Sequence, residues 1–154
     1  MGTTSTDDLT GLGGPLENDQ PLPIGAAKLT TDLTNAAKAE VGVIDGYGMP
    51  GDILDSFELF YSYLKADDGT ANPSAAPSIK LTFFNPDCDD PVSGGDCFGT
   101  LVYEPTWNQG PVGSVAVPLD QWIDVAIDAE NGLFWWTGGF GPPNRWRSAT
   151  EHSG

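Results

Sequence analysis

The chain has 154 residues, the size of a single domain that can bury one sizeable core. Its 22 acidic residues against six basic ones give a formal net charge of −16, which repels nucleic acid and anionic membrane surfaces and attracts cations. Since no apolar run approaches the length of a membrane-spanning helix, we also expect no insertion into a membrane.

The first segment, Met1–Pro23, is rich in Gly, Asp, Thr and Pro and predicts an acidic linker or flexible arm ahead of a domain at residues 24–154. It begins MGTTSTDDLTG, which is polar and acidic where a secretory signal is basic and then apolar. If the protein is exported, we expect its signal to have been removed.

From Ala26 onward, short apolar runs separated by turn-forming clusters predict eight strands and little helix. In one run, Ile123, Val125 and Ile127 alternate with polar or small residues, which indicates a strand with one buried face. In SFELFYSYL both faces are apolar, which predicts a central strand covered on both sides. The predicted strands are Ala26–Thr30, Ala39–Ile44, Ser56–Leu64, Ser78–Phe84, Gly99–Tyr103, Ser114–Val117, Trp122–Ile127 and Leu133–Trp136. We therefore predict an all-β fold, an antiparallel β-sandwich.

The order of these features resembles the jelly-roll-like β-sandwich domains of exported bacterial proteins, often those with C-terminal sorting signals. The resemblance covers about Ala26 to Trp136 and rests on GAAKLTT, KAEVGVID, DSFELFYSYLK, APSIKLTFF, TLVYEPTWNQG, VPLDQWIDV and GLFWW. No activity is attached to that class, so the resemblance implies a jelly-roll-like fold and an exported protein. Such domains usually continue with further strands, whereas here GGFGPPNRWRSATEHSG follows, so we expect either a compact variant of the C-terminal segment or an open sheet edge available for self-association.

An acidic loop, NPDCDDPVSGGDC, follows the fourth predicted strand. Cys88 and Cys97 lie on either side of its turn, which favours a disulfide and an oxidising compartment over two reduced thiols. In the resembling domains this loop often has an Asp-x-Asp-Gly-Asp calcium pattern, but here Asp90-Pro91 replaces the glycine. We expect a disulfide-closed solvated turn first and a calcium site second, with these candidate ligands: Asp87, Asp89, Asp90 and Asp96.

Aromatic and amide residues in the predicted loops suggest a sugar-binding surface, because sugar C–H faces stack on aromatic rings while hydroxyl groups need donors and acceptors. The candidates are Trp107, Asn108, Gln109, Trp136 and Trp146. The alternative is that tryptophans fill the core, and we expect Trp135 or Trp136 to do so.

A third possibility is hydrolysis of a glycosidic bond, which needs two carboxylates flanking that bond. Glu58, within an aromatic strand, and Glu104, at the end of VYEP, are the acids whose surroundings suggest partial burial.

Three functions follow in order of expectation. The first is a non-catalytic extracellular or cell-surface module that binds a glycan or another surface ligand, with calcium as an optional cofactor. The second is an assembly subunit that polymerises through an open sheet edge or its N-terminal arm. The third is a small glycan-active hydrolase that uses Glu58 and Glu104.

Overall fold

The computed structural model describes residues 2–21, 25–32, 34, 38–69, 72–84, 98–108 and 115–138. Within them the chain forms seven strands, two short helices and one 3-10 turn. In chain order these are β1 (Thr3–Asp7), α1 (Gly14–Asn18), β2 (Ala26–Thr30), α2 (Pro50–Ile53), β3 (Glu58–Leu64), β4 (Ile79–Phe84), β5 (Phe98–Tyr103), the 3-10 turn Pro105–Trp107, β6 (Trp122–Asp128) and β7 (Phe134–Gly138).

The strands form three antiparallel sheets: β1–β2, β3–β6 and β4–β5–β7. The chain passes from β3 to the β4–β5 pair, back to β6, and then to β7 beside β5. The core therefore forms between the β3–β6 ribbon and the three-stranded sheet, with Ile127 of one packed among Leu101 and Phe134 of the other. The predicted all-β, antiparallel sandwich-like fold is confirmed.

The alternation predicted for β6 is confirmed by its burial. Ile127 is buried and Ile123 and Val125 are half-buried, whereas Asp124 and Ala126 are exposed. Opposite residues of an antiparallel pair share a face, so the partner of Val125, Tyr61 of β3, also points inward.

The central strand of the larger sheet is β5, in which every residue from Gly99 to Tyr103 is buried. The prediction that Ser56–Leu64 is a central strand covered on both sides is wrong. Among the described residues β3 pairs only with β6, and Phe60 on its outer face is 72% exposed. Apolar residues on both faces of a strand therefore did not mean that both faces are covered.

Gly99 leaves room for the indole ring of Trp136. A Cβ atom at Gly99 would lie 2.0 Å from Cζ2 of that ring. Trp136 lies opposite Leu101 across the β5–β7 pair, so its ring covers the glycine two positions away.

Two predicted strands, Ser114–Val117 and Ala39–Ile44, do not form in the described part of the chain. Residues 115–117 instead bond to other loops: Val115 exchanges two hydrogen bonds with Thr106, and the Val117 amide donates to the Pro73 carbonyl at 3.0 Å. Residues Ala39–Ile44 make no sheet pairing in the described part of the chain, although their apolar pattern is that of a strand.

The segment predicted as an acidic linker or arm contains β1 and α1. β1 pairs with β2, with Thr3 opposite Thr30. Nε1 of Trp122 in β6 donates to the Pro15 carbonyl of α1 at 3.0 Å, which links this segment to the ribbon.

Candidate functional site

A cavity of about 220 Å³ lies where the β3–β6 ribbon meets the turn after β5. Its walls combine two phenol rings, one amide, one carboxylate and a stretch of β6. The lining residues are Tyr63, Tyr103, Pro105, Asn108, Ile123, Asp124, Val125 and Ala126.

Core packing fixes the two tyrosines. Tyr103 ends β5, and its ring lies 5.7 Å from that of Phe134 between centroids. Tyr63 is near the end of β3 and stacks on Tyr61, with centroids 6.1 Å apart. Both cavity tyrosines are more than nine-tenths buried, so each presents only part of its ring to the cavity.

Burial raises the pKa of Tyr103, and the neighbouring Tyr63 adds to this effect. Burial likewise raises the pKa of Tyr61 well above its usual value, with contributions from Tyr103 and Tyr63. Each phenol therefore keeps its proton to a higher pH than a free tyrosine; the Tyr61 hydroxyl donates to the Pro77 carbonyl at 3.2 Å, and the Tyr103 hydroxyl is a donor at the cavity.

The side chain of Asn108 is held by backbone groups of Glu104 and Leu133. Its Nδ2 donates to the Glu104 carbonyl at 2.9 Å and to the Leu133 carbonyl at 3.2 Å, and its Oδ1 accepts the Leu133 amide at 2.6 Å. These bonds fix the 3-10 turn against the start of β7. Oδ1 keeps one further lone pair for a ligand.

Asp124 supplies the one carboxylate among the eight lining residues. Its Oδ1 accepts a hydrogen bond from Oγ of Ser62, directly opposite on β3, at 2.6 Å. The residue is exposed and lies with Ser62 on the face of the ribbon opposite Tyr63, so its carboxylate borders the cavity from the outside.

The tryptophans predicted to bind a ligand occupy different places. Trp107 is half-buried in the 3-10 turn, next to the cavity residue Asn108. Trp136 is 8% exposed and belongs to the core, so its ring is not presented to a ligand. Gln109 and Trp146 lie outside the described residues.

The two glutamates proposed as a catalytic pair do not share either of the two cavities described here. Glu58 lines a second cavity of about 300 Å³ together with Asp55, Asp128 and Glu130. Glu104 lines neither cavity. The expectation that Glu58 is partly buried is wrong, because it begins β3 on the exposed face of the ribbon.

The predicted calcium ligands Asp87, Asp89, Asp90 and Asp96, and the predicted disulfide between Cys88 and Cys97, lie outside the described residues. In the part of the chain that is described, no group of three or more His, Cys, Asp or Glu side chains is placed to hold a metal ion. Nor does this part contain a helix long and apolar enough to cross a membrane.

Sequence reasoning missed Tyr63, Tyr103 and Asp124 as cavity residues. The alternation in β6 predicted the outward position of Asp124, but no pattern assigned a face to Tyr63, because both faces of β3 are apolar, and none singled out Tyr103 at the end of β5. The missing information was that the Glu104–Asn108 turn meets the ribbon at Tyr63.

Comparisons with known protein families, with curated proteins and with solved structures find no match for this chain.

Proposed function

We propose that this chain is a non-catalytic, extracellular β-sandwich module that binds a carbohydrate, with a single sugar ring seated in the cavity between β6 and the Glu104–Asn108 turn. The observation that supports this most is the composition of the cavity, whose lining includes Tyr63 and Tyr103 together with Asn108 and Asp124. Apolar ring surface suits sugar C–H groups, while the amide oxygen and the carboxylate accept hydrogen bonds from hydroxyl groups.

The size of the cavity limits the ligand. Pockets for drug-sized ligands enclose about 300–1,000 Å³, whereas this one encloses about 220 Å³. A single sugar unit, or the end of a longer glycan, fits this space better than an enclosed oligosaccharide. With so few polar contacts we expect a dissociation constant of about 1 mM, which corresponds to about −4 kcal/mol.

The arrangement of acids favours binding over hydrolysis. A glycosidase places two carboxyl groups on either side of the scissile bond. Asp124 is the one carboxylate among the lining residues of this cavity, and Glu58 and Glu104 do not lie together in either of the two cavities described above. A hydrolase built on Glu58 and Glu104 is therefore not proposed further.

An extracellular location and a calcium-assisted loop belong to the same proposal. Support comes from the acidic composition and from the sequence resemblance to exported bacterial sandwich domains. Calcium would bind the loop that contains Asp87 and Asp96, which comes just before β5 in the sequence, and would stabilise the folded chain.

The test is a titration of the isotope-labelled protein with methyl glycosides of glucose, galactose, mannose and N-acetylglucosamine, up to several times the expected dissociation constant. Binding of at least one should shift the side-chain amide signals of Asn108 and the backbone amide signals of residues 123–126. Asp124→Asn should weaken that binding several-fold, while the matched change Asp19→Asn on the exposed end of α1 should leave it unchanged. If none of the four sugars shifts these signals, the proposed site is wrong.

A further inference from the structure

The most exposed apolar stretch in the described part of the chain is Val41–Met49, here called the apolar segment. Five of its nine residues are large and apolar and are 61% exposed or more: Val41, Val43, Ile44, Tyr47 and Met49. Contiguous exposed apolar residues of this kind typically mark a surface that contacts another protein. None of them lines the proposed sugar cavity.

The apolar segment is bonded to β1 and β4 at its first end and continues into α2 at its second. Just before it, the Glu40 carboxylate pairs with the Lys80 ammonium group of β4, and the Glu40 carbonyl accepts a hydrogen bond from Oγ1 of Thr4 at 3.0 Å. At its other end, the Met49 carbonyl accepts the amides of Asp52 and Ile53 at 3.0 and 3.2 Å. The segment thus lies between these contacts and the start of α2.

Strand β4 offers a complementary surface. Within the described residues it pairs on one side only, with β5, and none of these residues forms a strand on its other edge, where main-chain donors and acceptors can receive one. Lys80 is exposed on this strand and contacts Glu40, so the residue that begins the apolar segment already lies beside β4. The segment nevertheless makes no sheet pairing with any of the described residues of its own chain.

We propose that the apolar segment docks as an added strand on the edge of β4 in a second copy of this chain. Each copy offers one segment and one edge, so two copies exchange segments reciprocally and form a closed, two-fold dimer. The occupant is a second copy because the Glu40–Lys80 charge pair that joins segment and edge within one chain can form equally between two. Val41 and Val43, at alternate positions, then face the partner's sheet together.

The net charge of −16 sets the direction of the salt dependence. Two such chains repel each other, and screening shortens the range of this repulsion from about 30 Å at 0.01 M ionic strength to about 8 Å at 0.15 M. The single exposed Glu40–Lys80 pair at each contact is too weak to reverse this trend. Association should therefore strengthen with salt, whereas binding of a cationic partner to the same acidic chain would weaken.

The first experiment is sedimentation equilibrium of the full chain at low and at physiological salt. We expect a monomer–dimer equilibrium that strengthens at least several-fold as salt is raised. Val43→Asp should abolish it, while Leu12→Asp, the same change of charge at another exposed apolar residue, should weaken it by less than twofold. A monomer at every concentration and salt level, or equal effects of the two variants, would overturn the proposal.

A second experiment tests for exchange between chains. Lys80→Glu and Glu40→Lys each place like charges across both contacts of a homodimer, so each variant alone should dimerise about tenfold more weakly. An equimolar mixture pairs opposite charges at both contacts and should regain the wild-type affinity. Thermal melts of each variant at low concentration establish that it is folded. If the wild type dimerises and the folded mixture does not, the edge of β4 is not the docking site.

Discussion

Two segments of this chain have the same kind of sequence pattern and different structures. Ile79–Phe84 and Ala39–Ile44 both alternate apolar residues with polar or small ones, and both are predicted to be strands. The first is β4, paired with β5 along its whole length, with its residues alternately half-buried and exposed. The second forms no strand, and Ile44 at its end is fully exposed.

The difference shows what alternation does and does not specify. In β4 the side chains of Ile79, Leu81 and Phe83 pack against the buried core, and the backbone bonds to β5. In Ala39–Ile44 the apolar side chains at Val41, Val43 and Ile44 are exposed, and the backbone pairs with no strand among the described residues, although Glu40 contacts β1 and β4. Alternation therefore predicts that a segment can form a strand, and the availability of a partner decides whether it does.

The largest contrast is expected from truncation of one residue on each side of this comparison. Leu101→Ala, at a fully buried position of β5, should lower the free energy of unfolding by about 2–5 kcal/mol, because it removes buried contacts and leaves a cavity. Ile44→Ala should change it by less than about 0.5 kcal/mol in dilute protein. Urea denaturation measures both, and a similar loss for the two variants would mean that residues 39–44 are packed within the monomer.

A smaller contrast comes from adding a methyl group. Gly99→Ala forces a Cβ atom into the ring of Trp136 and should cost about 1–3 kcal/mol. Gly42→Ala, in the unpaired segment, meets no atom within 4 Å and should be neutral or slightly stabilising. The same denaturation experiment compares them; tolerance of alanine at Gly99 would contradict the close packing of Trp136 on β5.

The smallest predicted effect is the dependence of the free energy of unfolding on alkaline pH, which arises from Tyr61 and Tyr103 in the packed strands. Because burial raises the pKa of Tyr61 and Tyr103, each ionises in the unfolded chain, near pH 10, before it does so in the fold. Their contribution to stability is therefore complete below pH 10 and is lost as the pH rises toward the folded-state values.

Tyr61→Phe should make the loss of stability above pH 10 less steep, although it also removes the hydrogen bond from Tyr61 to the Pro77 carbonyl. Thermal melts across this pH range, with tyrosinate absorbance followed in parallel, measure the slope. An unchanged slope in the variant would assign the alkaline transition to other groups.

Much of the fold could be predicted because local pattern and tertiary environment agree in its best-packed strands. The alternation of Ile123, Val125 and Ile127 matches the inward face of β6. β1 could not be found in the same way, because TTSTD has no apolar alternation and its residues are exposed or half-buried in a small sheet with β2. Likewise, the apolar outer residue Phe60 made β3 resemble a strand with two covered faces.

The candidate site was less accessible to sequence reasoning. Asn108 is predicted to bind a ligand because its amide can donate and accept hydrogen bonds, and it does line the cavity. Most of its hydrogen-bonding capacity nevertheless holds the turn to Leu133. Trp136 has equally suitable chemistry and lies in the core. Residue type alone does not separate these cases, because exposure of an aromatic ring depends on the packing of strands that are distant in sequence.

The most direct measurement of the central contrast is amide hydrogen exchange of the full chain at low and at high protein concentration. We predict slow exchange for β4 and β5 at both concentrations, since their amides are held in the sheet. Amides of Val41–Ile44 should exchange rapidly in dilute protein and become protected as the concentration rises and the second copy docks. Slow exchange of Val41–Ile44 already in dilute protein would contradict the account, because the segment would then have its partner within its own chain. Fast exchange at both concentrations would contradict the docking of a second copy.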